Sequence, residues 1–360
     1  MIKRKGLKSV ALAIAAFSLI AGACGGSDST ATEETVTEET TAETTPALPG
    51  EGILACQVTD TGGVDDKGFN QIAYKGLQDA EAQLGVEIDV LESTTDADYG
   101  PNLQNFADKG CKIIVTVGFL LTDATREAAN ANPDIDYAIV DSAFDPPVQN
   151  ARGLLFATDE SSFLAGYVAA ALTKSGIVST FGGVKIPPVT NFMDGFVNGV
   201  AYHNDQKGTK VKVLGWNIET QEGTFTGNFE SLDDGKNVAK SQADEGADVI
   251  YPVAGPVGIG SAKFAKETGG KVRIIGVDVD MSVSNPDDAE VYLGSALENI
   301  DAAVFAAITD TVNGKRTNEN YRGTLANGGV GFAFTDVPAD LKAEVEAIAK
   351  LIADGKLKSK

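Results

Sequence analysis

Residues 53–77 read ILACQVTDTGGVDDKGFNQIAYKGL, and their order decides the class of fold. Ile53–Thr59 is a short, nearly continuous apolar run, the pattern of a strand buried on both faces rather than one with a wet side. A polar, glycine-rich loop follows. From Gln71 the pattern changes period, and Ile72, Leu77, Ala80 and Leu84 fall roughly on one face of a helix. Strand, glycine loop and amphipathic helix form the building unit of a parallel sheet covered by helices.

The same unit recurs downstream. Strands are predicted at Val86–Leu91, Lys112–Val117, Asp136–Val140 and Leu154–Ala157, with a helix near Leu103–Lys109. A long apolar helix at Phe163–Thr173 leads to a second set: strands at Ile177–Phe181, Lys210–Leu214, Val249–Val253 and Val272–Val277, helices near Phe192–His203 and Gly235–Glu245. The tail adds Val291–Ser295, Ile300–Asn313, Gly331–Thr335 and Val337–Ala353. It has too few strands for a third lobe and is expected to complete the first two. Residues 51–360 suit two α/β lobes better than one core. A chain that crosses between lobes more than once leaves a hinged cleft.

Open α/β sheets bind ligands beyond the carboxyl ends of their strands. The residues at those ends are Asp60, Thr61 and the loop to Phe69 and Asn70, then Gly118 and Phe119, then Asp141. In the second set they are Gly182 and Gly183, the loop carrying Phe225 and Phe229, then Gly255, and Asp278 with Asp280. Aromatics, glycines and carboxylates together suit a flat ring held between aromatic faces, with hydroxyls bonded to carboxylates.

Several functions are disfavoured. The formal net charge of −22 repels phosphate backbones, which argues against nucleic acid as a partner. The glycines of residues 62–68 lack phosphate-loop spacing and stand beside Asp65 and Asp66, whose charge suits the positive end of the following helix. There is one histidine, His203, placed near a helix end, and the chain has no nucleophile elbow and no metal-spaced Cys/His set. No enzymatic role, cofactor or metal is expected.

The amino terminus is a leader. Lys3, Arg4, Lys5 and Lys8 precede an apolar run, Val10–Ile20, too short to span a bilayer, and Ala21-Gly22-Ala23 supplies the small residues before Cys24. A signal peptide at 1–23 and a lipidated Cys24 are therefore expected, acyl chains such as palmitate serving as the membrane anchor. Residues 24–50 are rich in Thr and Glu, poor in large apolar side chains, and read as a solvated acidic tether. This puts the folded part on the extracytoplasmic face, where Cys56 and Cys111 are either a disulfide or two buried thiols.

The motifs VTDTGGVDDKGFNQIAYKGL (58–77), ESSFLAGYVAAALTK (160–174), FGGVKIPPVTNFMDGFVNGVAY (181–202), GADVIYPVAGPVGIG (246–260), IIGVDVDMS (274–282) and ANGGVGF (326–332) resemble, in this order, the basic membrane protein family of nucleoside-binding lipoproteins. The resemblance implies a type I periplasmic binding protein: two Rossmann-like lobes with parallel sheets and three interlobe crossovers. It implies an N-terminal lobe of 51–157 and 282–316, and a C-terminal lobe of 158–281 and 317–360. It also implies a monomeric substrate-binding component of an ABC importer, with a permease as partner and a nucleoside, purine favoured, as ligand. Carried over by motif position, Asp60 would meet the base edge or nearby ribose, Phe69 and Phe229 would stack on the base, and Asn70 and Asp141 would be polar neighbours. Gly255 would let the backbone approach, and Asp278, or Asp280 in a register two residues on, would take the ribose hydroxyls. Thr61 and Gly118 complete the expected set.

One departure stands out. Where the family carries lysine in a Ser-x-x-Lys element, this chain reads Ser295-Ala296-Leu297-Glu298. An ammonium only donates hydrogen bonds and an ionised carboxylate only accepts them. With Glu298 at the site, a different polyol or an amine-bearing solute becomes an alternative ligand, as does a sensor or interaction role without transport.

Overall fold

The computed structural model describes residues 48–360; the expected leader, Cys24 and nearly all of the expected tether lie outside the described residues. The first lobe opens with β1 (Leu54–Thr59), α1 (Phe69–Leu84), β2 (Glu87–Leu91), α2 (Tyr99–Lys109), β3 (Ile113–Val117), α3 (Thr122–Ala131), β4 (Asp136–Val140) and β5 (Ala151–Phe156). All of β3 and nearly all of β1 and β4 are buried, as expected of strands covered on both faces. Helix α1 buries Ala73, Gly76, Leu77 and Ala80 on one stripe and ends at Gly85, whose positive φ lets its N–H return to Glu81 O. Cys56 in β1 and Cys111 before β3 are disulfide-bonded, their Cα atoms 6.1 Å apart.

The chain then crosses to the second lobe: α4 (Thr158–Leu172), β6 (Ile177–Gly182), α5 (Pro187–Lys207), β7 (Lys212–Leu214), the short hairpin β8 (Trp216–Asn217) and β9 (Glu222–Gly223), α6 (Leu232–Asp244), β10 (Val249–Val253), α7 (Pro256–Glu267), β11 (Arg273–Asp278), α8 (Met281–Ser284) and β12 (Tyr292–Glu298). It returns for α9 (Ile300–Val312) and β13 (Tyr321–Gly323), and goes back once more for β14 (Val330–Phe334) and α10 (Ala339–Ala353). The two six-stranded sheets have orders β13-β5-β4-β3-β1-β2 and β14-β12-β11-β10-β6-β7. The lobes thus share one strand order, with β1 matching β6, β3 matching β10 and β4 matching β11, and differ at one edge, where β13 runs parallel to β5 but β14 antiparallel to β12. This is the type I binding-protein fold, with crossovers near residues 157, 298 and 325–329.

The lobe boundaries differ from those expected in the tail. Residues 282–298 lie in the second lobe, because β12 pairs in parallel with β11 from Ile274↔Tyr292 to Asp278↔Leu297. Residues 321–323 lie in the first lobe, where Tyr321 pairs with Leu154. Of the expected 282–316 segment, only the part from α9 onward lies on the first lobe, α9 against α1 and Arg316 bonded to Asp136. β13 is a three-residue edge strand with too little apolar pattern to show which sheet recruits it, whereas β12 is a buried interior strand whose apolar run shows that it is a strand but not to which of the two sheets it belongs.

The rigidity of the second lobe comes from α4 against α5. Glycines at the crossing bring the backbones together: a Cβ on Gly166 would lie 2.0 Å from Phe196 O, and one on Gly199 2.0 Å from Phe163 O. The pair covers one face of the sheet with Phe163, Tyr167, Met193 and Phe196, and Phe196 stacks on Tyr251 of β10 at 4.9 Å. The second sheet is thus closely covered on that face.

Candidate functional site

The carboxyl ends of both sheets border one space of about 610 Å³, its opening to solvent included. The first lobe contributes Asp60, Thr61, Asp66, Phe69, Asn70, Gly118, Phe119 and Asp141. The second contributes Ile186, Pro188, Val189, Phe192, Phe229, Val253, Ala254, Gly255, Pro256, Val277 and Asp278.

The loop after β1 is held from within. Asp66 accepts from the N–H groups of Gly68, Asn70 and Gln71 at 2.8, 2.9 and 3.1 Å, so it caps the first turn of α1 and sets Phe69 and Asn70 at the helix start. Asn70 Nδ2 donates to Asp60 Oδ1 at 3.1 Å and to Thr61 O at 3.4 Å. Asn70 Oδ1 is buried with no partner. The residue after β3 must be glycine, since Gly118 has φ 114° and a Cβ there would lie 2.2 Å from Asp60 Oδ2.

Matching strands end alike. Asp141 after β4 and Asp278 closing β11 both adopt left-handed backbone, with φ 62° and 68°. Val279 N–H donates to Val277 O at 2.8 Å across Asp278, a three-residue turn of the strained kind. Such outliers cost about 1–3 kcal/mol and gather at functional sites. In the second lobe, Phe229 lies against Gly183, where a Cβ would meet its ring at 2.4 Å. Phe225 is instead part of the wall behind, edge-on to Trp216 at 5.9 Å.

The electrostatics are one-sided. Burial pushes the Asp60 carboxyl from 3.8 to about 8, against the lowering effect of the Asn70 hydrogen bond and with added repulsion from Asp66, Glu230 and Asp141. Burial likewise raises Asp141 to about 7. Asp278 is raised well above the carboxylate range, by burial first and then by Asp141 and Asp66. No lysine, arginine or histidine lines the space. Among the described residues no group of three or more His, Cys, Asp or Glu has a metal-holding arrangement.

Of the residues expected from sequence, Asp60, Thr61, Phe69, Asn70, Gly118, Asp141, Phe229, Gly255 and Asp278 border this space. Asp280 does not: its Oδ1 accepts from Ser282 N at 3.0 Å and from Ser282 Oγ at 2.6 Å, capping α8 beside a separate groove. The tight turn at Asp278 is what carries the chain out of the cleft before Asp280. Glu298 is not a wall residue either. It closes β12, is 1% exposed, and neither carboxyl oxygen has a partner; burial first, then Asp141 and Asp278, raise it well above the carboxylate range. Cys24 lies outside the described residues. His203 is buried at the end of α5, edge-on to Tyr167 and far from these walls in the fold. Phe119, read at the end of its strand, also lines the space, but the sequence reading missed most of the apolar lining from the second lobe: Ile186, Pro188, Val189, Phe192 and Val253. Their signal was present, since GVKIPPV directly follows β6, but apolar residues in a loop resemble core.

A family model described as ABC transporter substrate-binding protein PnrA-like (Bmp) matches residues 53–356. Basic membrane protein A of Borreliella burgdorferi is 33% identical over 271 residues, 75% of this chain and 74% of that protein. The ABC transporter nucleoside-binding protein BmpA of Lactococcus lactis subsp. cremoris is 29% identical over 375 residues, 99% of each chain. Among solved structures, an ABC transporter solute-binding protein from Aeropyrum pernix K1 superposes with a TM-score of 0.75 at 26% identity, covering 85% of this chain and 92% of that one.

Proposed function

The chain belongs to the Bmp family of PnrA-like ABC transporter substrate-binding proteins, and from that premise we propose that it takes a nucleoside, a purine nucleoside foremost, into the interlobe cleft. Family membership makes it an extracytoplasmic, non-enzymatic binding component with a small-molecule ligand and a permease partner. The nucleoside, the contacting residues, the monomeric state and the lipid anchor at Cys24 are our reading. The observation that carries it is the pair of phenylalanines, Phe69 and Phe229, bordering one cleft from opposite lobes among buried carboxyls.

In this reading the ring slides between Phe69 and Phe229, and stacking contributes about 1–3 kcal/mol per aromatic face. Asp60 and Asn70 address the polar edge of the ring, Asp141 and Asp278 the hydroxyls, and Thr61, Gly118 and Gly255 let backbone approach. A ligand without those donors leaves buried acceptors unpaired, at roughly 1–3 kcal/mol each, and this is the source of selectivity. Contacts made to both lobes favour closure, because they exist only in the closed form. Lipidation of Cys24 would hold the receptor near its permease while residues 25–50 let it reach.

Native mass spectrometry of the protein as purified tests this reading. The expected result is an added mass equal to one nucleoside, released on denaturation. A co-purified sugar or amino acid in its place, displaceable by more of the same compound and not by nucleosides, contradicts it.

A further inference from the structure

One side chain ties the two lobes together beside the cleft without bordering it. Lys67 stands in the loop after β1, two residues before Phe69, and its backbone is left-handed, with φ 61°. A residue with a side chain keeps that conformation only where its surroundings hold it. Asp66 holds it from one side, since its carboxyl gathers the N–H groups of Gly68, Asn70 and Gln71. The side chain of Lys67 leaves the first lobe, and its Nζ donates to Asn285 Oδ1 of the second at 3.4 Å.

The acceptor is prepared in advance. Asn285 closes α8, is 1% exposed, and its Nδ2 donates to Asp288 Oδ2 at 3.0 Å and to Tyr292 Oη at 3.3 Å. Both amide hydrogens are thereby engaged, and Oδ1 is left to accept from the other lobe. The same loop meets the second lobe at two further points: a Cβ on Gly62 would lie 3.9 Å from Pro256 Cγ, and one on Gly68 3.8 Å from Asp278 Oδ2. Lys67 itself lines the outer groove with Val279, Asp280 and Val283, not the cleft.

We propose that Lys67 is a closure latch, a positioning residue that sets how long the ligand stays by holding the lobes shut through Asn285, with no contact to the ligand. The inference rests on binding in the interlobe cleft and not on the ligand being a nucleoside. A bond that spans the lobe boundary exists only while the lobes are together, so it stabilises the closed form alone. One short loop carries both Phe69 and Lys67, so the segment that receives the ligand also carries the latch. Entry into the open cleft does not use the bond, and its loss therefore falls on release.

The test is stopped-flow kinetics of the full chain in detergent with adenosine and with guanosine, in wild type, Lys67→Met and Lys67→Arg. Lys67→Met keeps an aliphatic stem and removes the ammonium. It is expected to release the nucleoside about fivefold faster at an unchanged association rate, as for loss of one hydrogen bond. Lys67→Arg keeps a cationic donor and should restore slow release, which a side chain that only shaped the loop would not require. Unchanged release from Lys67→Met, a change confined to association, or release from Lys67→Arg as fast as from Lys67→Met overturns the latch and leaves the nucleoside reading standing. If wild type binds neither compound, the nucleoside reading falls, and small-angle scattering of the ligand-free proteins decides the latch. A larger radius of gyration in Lys67→Met than in wild type then supports it, and equal radii overturn it.

Discussion

At the scale of single residues, the site is defined by carboxyls that the fold has taken out of water. Asp60 is raised from 3.8 to about 8 and Asp141 to about 7, both chiefly by burial. An acid whose folded value is raised binds more protons folded than unfolded between its two values. The stability it contributes is complete below about 3.8 and is lost as pH rises through the folded value. The melting temperature of the ligand-free protein is therefore expected to fall between about pH 5 and about pH 8. Asp60→Asn should flatten that slope, as read by calorimetric scans across the range. A slope unchanged in Asp60→Asn would show that the carboxyl is hydrated and not held as described. Asp278→Ala is expected to abolish tight ligand binding with the fold retained, which far-UV circular dichroism checks alongside titration.

At the scale of elements, stability comes from glycine-mediated helix packing and one cross-link. Gly166→Ala would drive a methyl into Phe196 O, and overpacking of this kind costs about 1–3 kcal/mol. A lower urea midpoint at unchanged m-value is the expected readout; a midpoint equal to wild type would mean α4 and α5 separate without cost. Replacing Cys56 and Cys111 by alanine opens a loop spanning 55 residues in sequence, worth about 4 kcal/mol in the chain-entropy model. Chemical unfolding with and without reductant measures it, and no difference would show the disulfide unformed. Strand ends were the most legible part of the chain. Asp136–Val140 and Val249–Val253 stand where their continuous apolar pattern puts them. Helix α3, TDATREAANA, was not legible because its buried face is only Thr125 and Ala129. Helix α7 was hidden by Gly258 and Gly260, which read as loop. Yet a Cβ on Gly260 would lie 1.8 Å from Leu232 O, so that glycine serves the close contact with α6. Asp278 and Asp280 could not be told apart from sequence, since the turn that separates their roles is a backbone conformation, not a residue type.

At the scale of the molecule, the cleft exists because two lobes of one strand order present equivalent strand ends to each other. Asp141 and Asp278 are the matching positions of that repeat, and both take left-handed backbone. Interlobe contacts flank the space: Lys67 Nζ reaches Asn285 Oδ1 at 3.4 Å on the rim, and Leu325 N–H donates to Glu160 Oε2 at 2.7 Å where the crossovers run. Buried carboxyls on both walls need partners from the ligand, and contacts made to both lobes at once favour closure. The central claim, that a nucleoside ring is held between Phe69 and Phe229, is tested most directly by titrating wild type, Phe69→Ala and Phe229→Ala with purine nucleosides. The prediction is one nucleoside bound per wild-type chain, with affinity weakened about fivefold or more by each substitution, as loss of about 1–3 kcal/mol of stacking requires. Binding left intact in both variants, or no binding of any nucleoside to wild type, would contradict it.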